Sequence, residues 1–180
     1  MEILFFIVIG ILFVLGTLSI ISGFFTSVRI KEKVMGPFKL VFKEHVGSYK
    51  ETGKIQDEIY NKLLNEENIE TYRGFGIYYD DPQDTPQNEL RSKSGCILEE
   101  KDYDKIHKLD DSYNLMELEK QKFIYTEFPF KSKISIIMGT FKVYPKIEKY
   151  VEEKSYKKRE VMEIYDVPNK KNIYLMPIAE

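Results

Sequence analysis

The sequence predicts an α+β protein, in which an N-terminal transmembrane helix is followed by one domain built from two strand-helix-strand-strand repeats. Two observations predict this class. Residues 3–25 form an apolar stretch without a charged side chain, and the rest of the chain shows the same order of strand and helix patterns twice. We expect the repeats to form a mostly antiparallel sheet with both helices on one face.

The apolar stretch is long enough to cross a lipid bilayer as a helix. Its 23 residues would extend roughly 34 Å at ~1.5 Å per residue, and the hydrocarbon core is about 30 Å thick. A cleaved signal peptide is the alternative, but such peptides have a shorter apolar core and begin with basic residues, whereas only Glu2 precedes this stretch. We therefore expect residues 1–28 to remain as a transmembrane signal-anchor helix.

The charged residues around the anchor predict its orientation. No Lys or Arg precedes it, and five basic residues follow it: Arg29, Lys31, Lys33, Lys39 and Lys43. Basic flanks stay on the cytosolic side of a membrane, so the folded domain is expected in the cytosol, behind a juxtamembrane linker at residues 29–37. The single cysteine agrees with a reducing compartment, because Cys96 cannot form an internal disulfide.

The first repeat begins with a strand at residues 38–45, where Phe38, Leu40 and Phe42 alternate with Lys39, Val41 and Lys43, as expected for a strand with one buried face. Thr52 is the predicted N-cap of a helix with apolar residues at every fourth position. Two further strands are predicted at residues 71–79 and 90–98, and a turn rich in Asp and Pro separates them.

The second repeat follows the same order. A strand at residues 122–128 precedes an apolar helical stripe at residues 134–151, in which Pro145 is expected to kink the helix or to start a second one. Two more strands are predicted at residues 161–166 and 172–178.

The recurrence indicates an internal duplication. We expect one domain over residues 38–180, with repeats at about 38–98 and 122–180. Residues 99–112 are mixed in charge and contain few apolar side chains, so they are expected to form a surface excursion between the repeats.

Four residues form the candidate ligand-binding site. Glu163 and Tyr165 fall on one face of their predicted strand, and the alignment of the repeats puts Tyr78 on the corresponding face. Tyr49 follows a glycine turn that could bring it to the rim of a cleft. An acid among aromatic rings suits a small amphipathic cation. The alternative is a half-exposed Glu163 among ordinary core tyrosines.

Other chemistry has little support in the sequence. The two histidines and Cys96 lack the spacing of metal ligands, and no phosphate loop or nucleophile elbow occurs. The aspartates at residues 80–84 lie beside prolines, which is typical of a turn. The net charge of -2 provides no basic field for nucleic acid. We expect no cofactor and no enzymatic activity, and a hydrolase would have Glu163 as its only candidate base.

Several local sequences together resemble the GyrI-like small-molecule-binding domain. In chain order they are His45-Val46-Gly47-Ser48-Tyr49, Gly76-Ile77-Tyr78-Tyr79-Asp80-Asp81-Pro82, Glu163-Ile164-Tyr165 and Met176-Pro177-Ile178. The resemblance implies two modules that face each other across a cleft, with Glu163 at the position of the family's cleft glutamate. It also brings hydrolysis into consideration, because some members of the family hydrolyse small electrophiles.

One branch of this family, that of single-pass receptors for ER-phagy, is more similar still. The matching segments include Tyr49-Lys50-Glu51-Thr52-Gly53-Lys54 and Thr126-Glu127-Phe128-Pro129-Phe130. The similarity implies an endoplasmic reticulum membrane protein that acts as an adaptor or receptor-like factor in ER-phagy. In that branch an acidic disordered tail contacts the autophagy machinery, and no such segment follows the last predicted strand. We therefore expect a partner protein to supply the contact. The alternative is a membrane-tethered sensor of a small amphipathic ligand.

Overall fold

We describe the fold from a computed structural model that covers residues 1–109 and 113–178. Residues 110–112, the end of the predicted surface excursion, lie outside the described residues. The same is true of residues 179–180, the end of the predicted domain.

The described residues form three α-helices and eight β-strands. The helices are α1 (Glu2–Ser22), α2 (Thr52–Asn65) and α3 (Lys133–Lys154). The strands are β1 (Lys31–Met35), β2 (Phe38–Val46), β3 (Arg73–Tyr78), β4 (Arg91–Ile97), β5 (Asn114–Leu118), β6 (Gln121–Pro129), β7 (Val161–Asp166) and β8 (Lys171–Pro177). Each of the strands and helices expected from the two repeats is present, which confirms the predicted α+β class.

The strands form one sheet in the order β1-β6-β8-β7-β3-β4-β2-β5. Neighbouring strands are antiparallel throughout the described part of the chain. The two repeats meet in the middle of the sheet, where β3 of the first pairs with β7 of the second. In this register Gly76 lies opposite Glu163.

Both domain helices cover the same face of the sheet, as predicted. Val41 and Cys96 are paired residues and pack against α2, whereas Ile124 and Tyr174 pack against α3. The register carries one face continuously from the first pair to the second. The opposite face packs strand side chains from both repeats against one another, including Phe42, Phe75, Phe123 and Ile164. The sheet therefore curls around a core of its own, with the helices outside.

The segment predicted to be a juxtamembrane linker requires correction, because residues 31–35 within it form β1. This strand pairs with β6 at the edge of the sheet. The Glu32 side chain attaches this strand to the rest of the domain, because it forms an ion pair with Lys122 at 2.5 Å and accepts hydrogen bonds from the hydroxyls of Tyr150 and Tyr156. The strand has few apolar residues, so sequence periodicity did not reveal it.

The predicted surface excursion is also more ordered than expected. Glu100–Lys108 forms a 3-10 helix, and its Ile106 is buried against the α2 side of the sheet. The second strand missed by the sequence, β5, follows and pairs with the edge of β2.

The helix ends differ in detail from the predictions. Tyr49–Glu51 forms a 3-10 turn, and Thr52 is the first residue of α2 rather than its N-cap; its hydroxyl donates to the Tyr49 carbonyl at 2.8 Å. Helix α3 begins at a capping box formed by Ser132 and Ser135 and continues through Pro145 without a second helix starting there. Pro145 lies on the exposed side of α3, where water can satisfy the carbonyl that loses its partner.

Helix α1 projects from the domain. Ile3–Ser22 has a mean hydropathy of 2.9, and within it only Ser22, the last residue of the helix, is buried against the rest of the protein. By length and composition it can cross a membrane. Its end is attached to α3, because the Lys142 ammonium donates to the backbone carbonyls of Phe24 and Thr26, the latter at 2.8 Å.

Candidate ligand-binding cleft

A cleft of about 1750 Å³ opens between α2 and α3, above strands β3 and β7. The start of α2 and the turn before it form one wall, α3 forms the other, and the paired strands form the floor. The lining of the cleft includes Tyr49, Thr52, Tyr78, Ile137, Phe141, Tyr144, Glu163 and Tyr165.

Two glycines of β3 shape the floor of the cleft. Gly74 and Gly76 both lie on the helix-covered face of the strand, and Gly74 lines the cleft. The Tyr78 ring folds back over Gly76, and a β-carbon at Gly76 would lie 2.6 Å from the Tyr78 hydroxyl. The absence of a side chain at Gly76 thus lets Tyr78 point toward Glu163.

Glu163 is buried at the centre of this floor, with only 4% of its surface exposed. The Tyr144 hydroxyl donates to Oε1 at 2.8 Å, and the Tyr165 hydroxyl donates to Oε2 at 3.2 Å. Within residues 1–109 and 113–178, no Lys or Arg forms an ion pair with this carboxylate. Burial raises the pKa of Glu163 to about 7, although the two hydrogen bonds act in the opposite direction.

A chain of hydroxyl groups leads from α2 to Glu163. The Tyr78 hydroxyl lies 2.9 Å from that of Tyr165 and 3.3 Å from Thr52 Oγ1. Because the Tyr165 hydroxyl donates its one hydrogen bond to Glu163, its oxygen can accept a hydrogen bond from the Tyr78 hydroxyl. Burial raises the pKa of Tyr78 to about 12 and that of Tyr165 well above its ordinary value. Both side chains are therefore neutral donors at physiological pH.

Tyr49 contributes its ring rather than its hydroxyl. The ring packs edge-on against Tyr78, with 4.8 Å between centroids. Its hydroxyl donates to the carbonyls of Asp80 and Arg91 at 2.9 and 3.1 Å and accepts from the Asp80 amide. These bonds attach the turn before α2 to the loop after β3, so Tyr49 forms part of the rim.

The structure thus brings the four predicted site residues together and buries Glu163 rather than leaving it half-exposed. Sequence reasoning missed Tyr144 and Thr52. Tyr144 falls within the apolar stripe predicted at residues 134–151, and only the placement of α3 against the sheet shows that its hydroxyl reaches Glu163. Periodicity alone carries no signal for that contact.

The aspartates after β3 form the predicted turn. Asp81 Oδ1 accepts from the Gln83 amide at 2.8 Å, and Asp80 forms an ion pair with Arg91 at 2.7 Å. The part of the chain that the structure describes contains no cluster of side chains suited to a metal ion.

A duplicated strand-helix-strand-strand fold with an acid at the bottom of a cleft defines a class of small-molecule-binding domains. The sequence-family model of the GyrI-like small molecule binding domain matches residues 27–176, so the chain belongs to this family.

Two curated relatives extend the comparison. The chain is 28% identical over 135 residues to human Testis-expressed protein 264, a match that covers 70% of this chain and 40% of the human protein. The mouse homolog is 27% identical over 155 residues, which covers 80% of this chain and 47% of the relative. The chain therefore spans less than half the length of these relatives.

Solved structures share the fold. The C-terminal domain of EcmrR superposes with a TM-score of 0.62 at 10% identity, covering 85% of this chain and 98% of that domain. An uncharacterized conserved protein from Listeria innocua gives a TM-score of 0.55 at 13% identity, covering 84% of this chain and 92% of that one. At these identities the likeness concerns the fold alone.

Proposed function

We propose that this protein is a membrane-tethered, non-enzymatic sensor that binds a small amphipathic cation in the cleft beside Glu163. The observation that supports this function best is the buried carboxylate, which receives two tyrosine hydrogen bonds and has no basic partner among the described residues. A bound cation would offset the free-energy cost of burying the charged carboxylate.

The walls of the cleft suit the rest of such a ligand. The rings of Tyr49 and Tyr78 offer aromatic faces, to which a cation is attracted, and Ile137 and Phe141 offer apolar surface on the opposite wall. Both oxygens of Glu163 are already engaged by tyrosine hydroxyls, which favours charge recognition over general-base catalysis.

Tetraphenylphosphonium and tetraphenylborate test this proposal, because the two ions have nearly the same shape and opposite charge. The full-length protein in detergent should be stabilised against thermal unfolding by the phosphonium and not by the borate. Glu163→Gln should abolish the stabilisation. Tyr144→Phe is the matched control, because it removes one hydrogen bond and keeps the carboxylate. Equal responses to both ions, or an unchanged response in Glu163→Gln, would refute the proposal.

A second candidate function is that of an adaptor in ER-phagy, which the resemblance to the receptor branch of the family favours. The similarity to Testis-expressed protein 264 and the apolar helix α1 support it. In this function the domain reaches the autophagy machinery through a partner protein. Cells without the gene should then turn over less endoplasmic reticulum on starvation, and the protein should co-precipitate with ubiquitin-like autophagy proteins. Absence of both effects would exclude the role.

Both functions include the same placement in the cell. We propose that α1 spans the endoplasmic reticulum membrane once, with the N-terminus in the lumen and the domain in the cytosol. The basic residues Arg29, Lys31 and Lys33 after the helix support this orientation. Protease added to sealed microsomes should digest the domain. Protection of the domain, or removal of α1 during maturation, would contradict the placement.

A further inference from the structure

Helix α3 carries a row of large apolar side chains that the protein leaves uncovered. Ile134, Ile137 and Phe141 are 49%, 58% and 70% exposed. Their spacing of three and four residues places them on one side of the helix, away from the buried Val143 and Ile147. We call these three residues the α3 stripe. An apolar row of this kind on a folded domain marks a surface that contacts something else.

The α3 stripe lies close to the point where α1 ends. Lys142, the residue after Phe141, is bonded to the carbonyls of Phe24 and Thr26, and its ammonium lies 5.6 Å from the centre of the Phe24 ring. Ile134 precedes Lys142 by eight residues, or ~12 Å along a helix. The whole stripe is therefore within about two to three helical turns of the end of α1.

The end of α1 defines the level of the membrane surface. If α1 crosses a bilayer, Phe24 and Phe25 follow its last turn, and both are exposed, in the position of an interfacial aromatic belt. The part of α3 that is bonded to this segment must lie at the same depth. Exposed lysines on either side, Lys131 and Lys146, are placed to contact anionic headgroups.

We propose that the α3 stripe inserts into the boundary between headgroups and acyl chains of the bilayer that α1 spans, so that α3 is a second, in-plane membrane contact. This inference rests on the membrane anchorage proposed above. Apolar side chains on one face and lysines beside them are the features of helices that lie in a membrane interface. A second copy of the chain is the competing occupant of the stripe.

The proposal also defines the chemical class of the ligand. Ile137 and Phe141 line the cleft as well as belonging to the stripe. With the stripe in the interface, the α3 wall of the cleft lies at the membrane surface. A ligand would then enter from the lipid phase, which selects amphiphiles dissolved in the bilayer over freely soluble cations.

The absence of tryptophan from the chain permits a direct test. Phe141→Trp introduces a single indole into the full-length protein, which is reconstituted into bilayers of phosphatidylcholine and phosphatidylserine with brominated acyl chains. The indole should lose most of its emission relative to unbrominated bilayers, because bromine quenches indoles on contact. Ile137→Trp gives an independent measurement of the same stripe, and circular dichroism checks that each variant is folded.

Two further single-tryptophan variants serve as controls. Phe25→Trp reports insertion of the anchor itself. Val46→Trp places an exposed indole at the end of β2. This strand lies four strands from β8, which packs against α3, so the indole should keep its emission. Quenching at position 25 without quenching at 137 and 141 would overturn the α3 contact and leave the anchor standing. Quenching at none of the three would overturn both. A blue shift at 141 without quenching would show that protein, such as a second copy, covers the stripe.

Discussion

Glu163 is buried in the cleft, and this burial makes the stability of the protein depend on pH. Its pKa in the folded protein is about 7, against an ordinary value of 4.5. As pH rises through 4.5 the unfolded chain loses this proton, whereas the folded protein holds it until about pH 7. The stabilising contribution is therefore complete below pH 4.5 and is lost as pH rises through 7.

We accordingly expect Glu163→Gln to stabilise the protein at pH 8 and to leave it nearly unchanged at pH 4. The gain at pH 8 should be on the order of 2–3 kcal/mol, because the glutamine stays neutral and its one carbonyl oxygen can still accept one of the two tyrosine hydrogen bonds. Urea unfolding in detergent at a series of pH values measures it. A difference that does not vary with pH would show that the carboxylate is not desolvated.

The same ionisation should control ligand affinity. A cation that binds the charged form of Glu163 should bind more weakly as pH falls below the pKa of about 7, by ~10-fold for each further pH unit. Isothermal titration with tetraphenylphosphonium over roughly pH 5–8, a range that includes the pKa of Glu163 at about 7, measures this dependence. Glu163→Gln should show weak binding at every pH, and a flat profile in the wild type would contradict the role of Glu163.

At the scale of the element, strand β3 positions Tyr78 in the site because its Gly76 has no side chain and leaves room for the Tyr78 ring. We expect Gly76→Ala to displace the Tyr78 hydroxyl, because the new β-carbon would lie 2.6 Å from it. The lost hydrogen bond to Tyr165 should cost about 1 kcal/mol in the free energy of unfolding and weaken phosphonium binding.

Gly53→Ala at the start of α2 provides a comparison for this substitution, because Gly53 also lines the cleft but an alanine there leaves the Tyr78 hydroxyl in place. Nothing lies within 4 Å of a β-carbon built there, so Gly53→Ala should stabilise the helix by roughly 0.5–1 kcal/mol. Thermal unfolding of the two variants with and without tetraphenylphosphonium separates the effects. Unchanged ligand binding in Gly76→Ala would show that the position of Tyr78 does not matter.

Strand β1 is held to the sheet by a charged contact. Lys122 and the hydroxyls of Tyr156 and Tyr150 lower the pKa of Glu32 from 4.5 to about 2. The stability from this contact is present above pH 4.5 and is lost as pH falls through about 2. The protection of β1 amides, measured relative to their intrinsic exchange rates at each pH, should therefore decrease as pH falls from 4.5 toward about 2 in the wild type.

Glu32→Gln should show the faster β1 exchange already at neutral pH, since the ion pair with Lys122 is gone. Glu44→Gln is the control, because Glu44 is an exposed residue of β2 whose contact to Lys93 is 3.6 Å long. Exchange in β1 that is unaffected by Glu32→Gln would mean that the backbone pairing with β6 suffices.

At the scale of the whole molecule, the two repeats share one core. Phe75 of the first repeat is fully buried and packs in a cluster with Phe123, Met162 and Ile164 of the second. Phe75→Ala should destabilise both repeats together by about 3–5 kcal/mol. Hydrogen exchange of β2 and β8 should accelerate in parallel, and Val46→Ala at an exposed position should leave both unchanged. Faster exchange in the first repeat alone would indicate independent folding units.

The elements that the sequence predicted are those whose pattern is local. Strand β2 has apolar residues at alternate positions 38, 40 and 42, and α3 shows an apolar stripe, so each could be assigned without its neighbours. Strands β1 and β5 could not, because they are short edge strands with few buried side chains. Their pairing partners β6 and β2 lie in other parts of the chain, and these backbone contacts leave little trace in a residue pattern.

The sequence by itself determined the long apolar N-terminal helix, the duplicated order of strands and helices, and the four residues expected in the cleft, because periodicity and residue chemistry are properties of neighbouring positions. Only the tertiary structure decided that Gly76 pairs with Glu163, that Tyr144 donates to that carboxylate, and that α3 is attached to the end of α1. These contacts join residues far apart in the chain. They depend on strand register and helix placement, which the packing of the whole sheet selects.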